Sequence, residues 1–178
     1  PKIDVQFQTA QGKDETLVTI QVDFHLPNQF GLEYVGEDGE RHRPIIVHRG
    51  VISTLERMVA LLIEEYEGNF PLWLAPQQAV VIPIADRHIE YAQLVAAQLK
   101  ALGLRAEVDA RGERMNAKIR DAQMRKVPYM LIVGDREAEA RAAALRVRGG
   151  GDKGAVPVVE IVERLRRERD EKALTLWD

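Results

Sequence analysis

Two uninterrupted apolar runs, AVVIPI at 79–84 and PYMLIVG at 128–134, constrain this chain more than any other feature. A strand with one face in water alternates apolar and polar residues, so runs of strand length without a polar break predict strands buried on both faces. Such strands need helices above and below them. HIEYAQLVAAQLKALG and RMNAKIRDAQMRKV read as helices, the first ended by Gly103. LRAEVDA and AAALRVRG read as further strands, and PVVEIVERLRRERDEKALTL as a long closing helix with a charged outer face. The order strand, helix, strand, helix, strand, strand, helix predicts an α/β domain with a mixed sheet flanked by helices.

The first part of the chain has a different period. IDVQFQT at 3–9 and LVTIQVDF at 17–24 alternate, with the polar break AQGKDE between them, which predicts two strands joined by a turn. LEYV and PIIVH read as strands on either side of a turn at GEDGE. From about Ile52 the pattern becomes helical: Leu55, Met58, Val59, Leu62 and Ile63 share a face, Ser53 or Thr54 can cap the start, and Gly68 stops the helix. NFPLWLAPQQ, with Pro71 and Pro76, is a rigid junction, and it divides the chain into domains at 1–76 and 77–178.

Hydrophobic residues at 46% and charged residues at 30% of 178 are ordinary globular values, so disorder is not expected. A net charge of -3 does not exclude a nucleic-acid partner, because basic residues can gather on one face of an acidic protein. With no cysteine the chain has neither disulfides nor a thiolate metal ligand. No stretch reaches the eighteen apolar residues of a membrane span, and a soluble cytoplasmic protein with no membrane partner is the expectation. The start at Pro1, inside a strand-like segment, suggests a piece of something longer.

Several blocks together, PKID, TIQVDF, YVGEDGERHRPIIVHR, STLERM, EGNFPLWLAP and KIRDAQMRKVPYMLIVGDRE, resemble the C-terminal part of bacterial threonyl-tRNA synthetases, which are class II aminoacyl-tRNA synthetases. The resemblance extends over essentially the whole chain. It implies the end of a class II catalytic domain, with its antiparallel sheet and motif three helix, followed by an α/β anticodon-binding domain. In the family, motifs one and two and most of a zinc site lie upstream of PKID. The resemblance thus implies a parent threonine–tRNA ligase, homodimeric and using ATP, magnesium and zinc. It also implies that this chain by itself is catalytically inactive, with a stand-alone tRNA-binding module as the alternative reading.

Individual residues acquire roles from the same resemblance. STLERM matches the third class-defining motif, whose arginine, here Arg57, contacts ATP; a permanently charged guanidinium with fixed donor geometry suits phosphate and adenine alike. Gln21 in TIQVDF matches a glutamine beside the aminoacyl-adenylate, where an amide can both donate and accept. His48 matches a zinc ligand whose partners, a cysteine and a histidine, are upstream in the family. The loop 9–16 departs from the family pattern, and no contacts are carried over to it. In the second domain, GDREAEARAAALRVR puts base-reading roles on Glu137 and Arg146, while Asn116, Lys118 and Arg120 become tRNA(Thr) neighbours by position. From spacing alone, Lys118 and Arg120 read as solvated helix surface, and Arg146 and Arg148 share one face of a strand.

Overall fold

Alternation in the first segments produces a three-stranded antiparallel sheet in the computed structural model, which describes residues 1–177. The chain divides into two units, Pro1–Glu67 and Gly68–Asp178. In the first unit, β1 (Lys2–Gln8), β2 (Asp14–Asp23) and β5 (Ile46–Gly50) lie in the order β1-β2-β5. A bulge between Val5 and Gln6 shifts the β1 register, so that Val5 faces Val18 but Gln6 faces Thr16. Between β2 and β5 come a short helix α1 (His25–Gln29) and a two-residue ribbon, β3 (Tyr34–Val35) with β4 (Arg41–His42). Helix α2 (Leu55–Glu65) begins at Thr54, whose hydroxyl accepts the Arg57 N–H at 3.3 Å and satisfies one of the free donors of the first turn.

The apolar stripe foreseen for α2 is there but uncovered. Leu55, Val59 and Ile63 are exposed, and no residue of α2 is buried. The helix forms on local grounds, by its cap and its spacing, and it finds little apolar surface of this unit to pack on.

The second unit buries what its sequence promised. β6 (Ala79–Pro83) pairs in parallel with β7 (Ala106–Val108) on one side and with β8 (Tyr129–Val133) on the other. β9 (Ala142–Val147) runs antiparallel to β8, and β10 (Gly151–Pro157) antiparallel to β9, giving the order β10-β9-β8-β6-β7. Alternate residues then serve two cores. Ala79, Val81, Tyr129, Leu131, Val133 and Leu145 face α3 (Ile89–Ala101) and α6 (Val158–Asp170), which contribute Val95, Leu99, Ile161 and Leu165. Val80, Ile82, Met130 and Ile132 face Ile119 and Ala122 of α4 (Met115–Met124). Each valine, leucine or isoleucine side chain so buried stabilises the unit by roughly 1.5–3 kcal/mol.

The proline-rich junction belongs physically to this second unit. Leu72 is buried in its core. The Gln78 amide donates to the Leu72 carbonyl at 2.8 Å, and Arg105 donates to the carbonyls of Trp73, Ala75 and Pro76. In the first unit α1 and β4 were not foreseen, and in the second α5 and β10 were not. α5 (Asp135–Ala140) is six mostly charged residues, and β10 is rich in glycine and closed by proline.

Candidate functional site

Register assembles the first group of side chains. Lys2 lies opposite Gln21, and Gln21 opposite His48, so the three stand in a row across β1, β2 and β5. The neighbouring row on the same face is Asp4, Thr19 and Gly50. The Thr19 hydroxyl donates to Asp4 Oδ1 at 2.7 Å and Lys2 Nζ lies 3.0 Å from Asp4 Oδ2, which together hold that carboxyl below its usual range. The result is a polar sheet face.

Arg57 reaches the edge of this face. A cavity of about 310 Å³ is lined by Lys2, Thr16, Leu17, Thr19, Gly50, Ser53 and Arg57. Gln21 and His48 lie one row further along. The Arg57 guanidinium has a carboxylate neighbour, Glu15, at 3.8 Å and is otherwise half in solvent. Hydroxyl donors and two cations, Lys2 and Arg57, beside a cavity suit an anionic ligand.

His48 does not sit in a metal centre. Its Nε2 lies 2.9 Å from Asp23 Oδ2, while Asp23 Oδ1 accepts the backbone N–H groups of His25 and Leu26. The His48 contact, followed by those N–H groups, holds the Asp23 carboxyl below its usual range. Among the described residues no group of three or more His, Cys, Asp or Glu side chains could hold a metal ion. This corrects the expectation of zinc binding: zinc takes four nitrogen, sulfur or oxygen ligands, and here one imidazole faces one carboxylate already shared with two amides.

The second group occupies the half of the second unit's sheet that α4 leaves open. α4 packs over β6 and β8. On the same face β9 and β10 present Ala144 opposite Ala155 and Arg146 opposite Asp152. Arg146 Nη2 lies 3.2 Å from Asp152 Oδ2 in a pair largely open to water, on the wall of a cavity of about 400 Å³ that Gln123 and Met130 close on the other side. Small residues thus make a floor, with a cation at its rim. Asn116 and Arg120, one turn apart on α4, are both exposed.

Glu137 stands at the carboxyl end of β8. Its Oε2 accepts the Gly134 N–H at 3.0 Å, which fixes the side chain across the start of α5. The turn that carries it is clamped. Arg87 donates twice to Asp135, at 2.9 and 2.6 Å, and His88 Nε2 lies 2.8 Å from the same carboxylate. The Ala85 N–H donates to His88 Nδ1, which leaves the Nε2 proton for Asp135. These partners, Arg87 foremost, hold the Asp135 carboxyl far below the usual range. A Cβ at Gly134 would lie 2.7 Å from the end of the half-exposed Ile84 side chain, which would have to shift to admit it.

Two cations are placed otherwise than the sequence suggested. Lys118 is buried, its ammonium donating to the carbonyls of Asp109 and Pro83. Arg148, just past the end of β9, lines the same cavity as Arg146, but its guanidinium donates to the carbonyls of Asn69, Phe70 and Lys126. Sequence reading also missed Asp152, the partner of Arg146. The signal for it was there: three glycines at 149–151 between ALRV and the segment ending AVPV mark a hairpin.

Comparison with known proteins now adds the family. Residues 1–66 match the tRNA synthetase class II core domain of the G, H, P, S and T type, and residues 78–168 match the anticodon binding domain. A polar sheet face with a helix arginine, followed by an α/β unit with a half-open sheet, is thus the architecture of a class II aminoacyl-tRNA synthetase. Threonine–tRNA ligase of Natranaerobius thermophilus is 53% identical over 96% of this chain, and that of Listeria monocytogenes 57% identical over 85%. The RNA binding domain of threonyl-tRNA synthetase from Cryptosporidium parvum superposes with a TM-score of 0.81 at 31% identity, covering all of this chain and 44% of the other. The chain belongs to the threonine–tRNA ligase family. It spans about a quarter of the length of the bacterial relatives, 27% and 24%.

Proposed function

We propose that this chain is part of a longer threonine–tRNA ligase, in which the first unit, residues 1–67, contributes to the activation site and the second, residues 68–178, reads the anticodon of tRNA(Thr). The second unit carries this reading: its half-open sheet has a floor of small residues with Arg146 at the rim, Glu137 is held at the carboxyl end of β8, and Asn116 and Arg120 are exposed on α4. A single-stranded anticodon offers unstacked base edges and phosphates, which match those amide, carboxylate and guanidinium groups.

In the proposed parent, a carboxylate oxygen of threonine attacks the α-phosphorus of ATP, supplied as its magnesium complex, and pyrophosphate leaves. A ribose hydroxyl at the end of the tRNA then attacks the adenylate carbonyl, and AMP leaves. Arg57 binds the nucleotide and offsets charge developing on phosphate oxygens, and Gln21 holds the adenylate through its amide. The parent works as a homodimer in the cytoplasm.

The chain alone binds tRNA without catalysing either step, because the remaining catalytic motifs of the family lie outside the matched segment. Measured ATP–pyrophosphate exchange should therefore be absent for the 178-residue chain. In the full-length parent, Arg57→Gln should reduce exchange by on the order of a hundredfold. Exchange by the isolated chain, or an unaffected full-length variant, would refute the assignment.

A further inference from the structure

Given the tRNA-reading role proposed above, we infer that Lys118 serves RNA recognition from inside the protein, as a positioning residue that sets the pose of α4, and does not itself touch RNA. Lys118 is 5% exposed. Its Nζ donates to the Asp109 carbonyl at 3.0 Å and lies 3.5 Å from that of Pro83. Pro83 ends β6 and Asp109 follows β7, so one ammonium ties the helix to the carboxyl ends of two parallel strands.

A buried ammonium is costly unless its protons are taken up, and two carbonyl dipoles with the Asp109 carboxylate nearby supply that compensation. A second tie acts three residues on. Arg111 donates to the Asp109 carboxylate at 2.8 and 2.7 Å and to Asp121 of α4 at 2.9 Å.

Helical geometry converts the anchor into a presentation. Residues two positions away on a helix are turned by about 200°. Asn116 and Arg120 flank Lys118 by two on either side, so fixing Lys118 inward turns both of them outward, where they are exposed. Rotation of α4 would move both groups relative to Arg146 and the open floor.

The test is binding of the 178-residue chain to tRNA(Thr), and to the same tRNA with changed anticodon bases, over a series of salt concentrations. Wild type, Lys118→Met and Arg120→Gln are compared. A phosphate-contacting cation contributes about one unit to the slope of log affinity against log salt. Lys118→Met is expected to keep the wild-type slope, weaken tRNA(Thr) binding by about tenfold and reduce anticodon discrimination. Arg120→Gln is expected to lower the slope.

A slope lowered by about one in Lys118→Met with discrimination intact would show a direct phosphate contact and overturn the inference. Binding and discrimination unchanged from wild type would overturn it too. Should that variant fail to fold, amine-reactive labelling of the wild-type chain decides. Lys118 is expected to stay unlabelled with and without tRNA while the exposed Lys100 and Lys172 react. Labelling of Lys118 in the free chain that tRNA suppresses would overturn the inference. Absence of any wild-type binding would instead refute the tRNA reading itself, and the role assigned to Lys118 with it.

Discussion

The two units put their apolar residues to opposite use. Residues 1–67 contain one buried residue, Pro27, whereas the buried hydrophobic core of the chain lies wholly at and beyond Leu72. Ile3, Val5, Ile20 and Val47 alternate with the polar row of the first sheet, and all of them are exposed. In the second unit, alternation within β6 and β8 feeds two cores at once. The lesson is that amphipathic patterning specifies a strand or a helix locally, but stability depends on whether the chain supplies the opposing layer. In the proposed parent, further parts of the catalytic domain supply that layer for the first unit.

A matched pair of truncations, one in each unit, gives the largest expected difference. Leu131→Ala, at a fully buried position of β8, should cost about 2–5 kcal/mol in denaturant unfolding of the second unit. Ile20→Ala on the exposed face of β2 should cost less than about 1 kcal/mol. Equal costs would show that the first unit has a working core of its own.

A smaller effect sharpens the polar side of the same contrast. The Tyr129 hydroxyl donates to Glu168 at 2.6 Å and accepts the Trp177 N–H at 2.7 Å, and burial foremost raises its pKa far above that of a free phenol. Tyr129→Phe leaves a buried carboxylate oxygen and an amide without that partner, and should destabilise the unit by about 1–3 kcal/mol, read as a lower melting temperature. An unchanged melting temperature would deny this network a structural role.

In the first unit the corresponding local device is the α2 cap. Thr54→Ala should lower helix content measurably and cost about 1 kcal/mol. No change in the circular dichroism would mean that the cap does not hold the helix start.

The smallest expected effect concerns acid. The folded Asp135 carboxyl is depressed by Arg87 and His88, so its contribution is complete above the ordinary carboxylate value of about 3.9 and is lost as pH falls toward the folded value. The melting-temperature gap between wild type and Asp135→Asn should therefore be constant from pH 7 to about pH 5 and narrow below about pH 4. A gap that holds down to about pH 2.5 would contradict the clamp.

Much of this architecture was legible because β6, β8 and the longer helices carry strong single-period signals. β10 was missed because Gly151, Gly154 and Pro157 are poor strand residues, and it is tertiary pairing to Ala142–Val147 that makes it a strand. α5 was missed because six mostly charged residues have no apolar stripe; the turn is held by Glu137 and by the clamp on Asp135. Lys118 was misplaced by its charge, although its spacing of three from Met115 and four from Ala122 already put it on the inward stripe. Zinc binding followed from resemblance at His48 alone, and only three-dimensional placement reveals Asp23 as that ring's partner. The polar row of Lys2, Gln21 and His48 depended on strand register, which a single sequence specifies weakly.

The most direct test of the account is binding of the 178-residue chain to tRNA(Thr) and to a transcript with its second and third anticodon bases changed, at one fixed moderate salt concentration. The changed transcript should bind at least about tenfold more weakly, and Glu137→Gln or Arg146→Gln should narrow the difference. Equal affinity for the two transcripts would contradict the claim that the half-open sheet reads the anticodon.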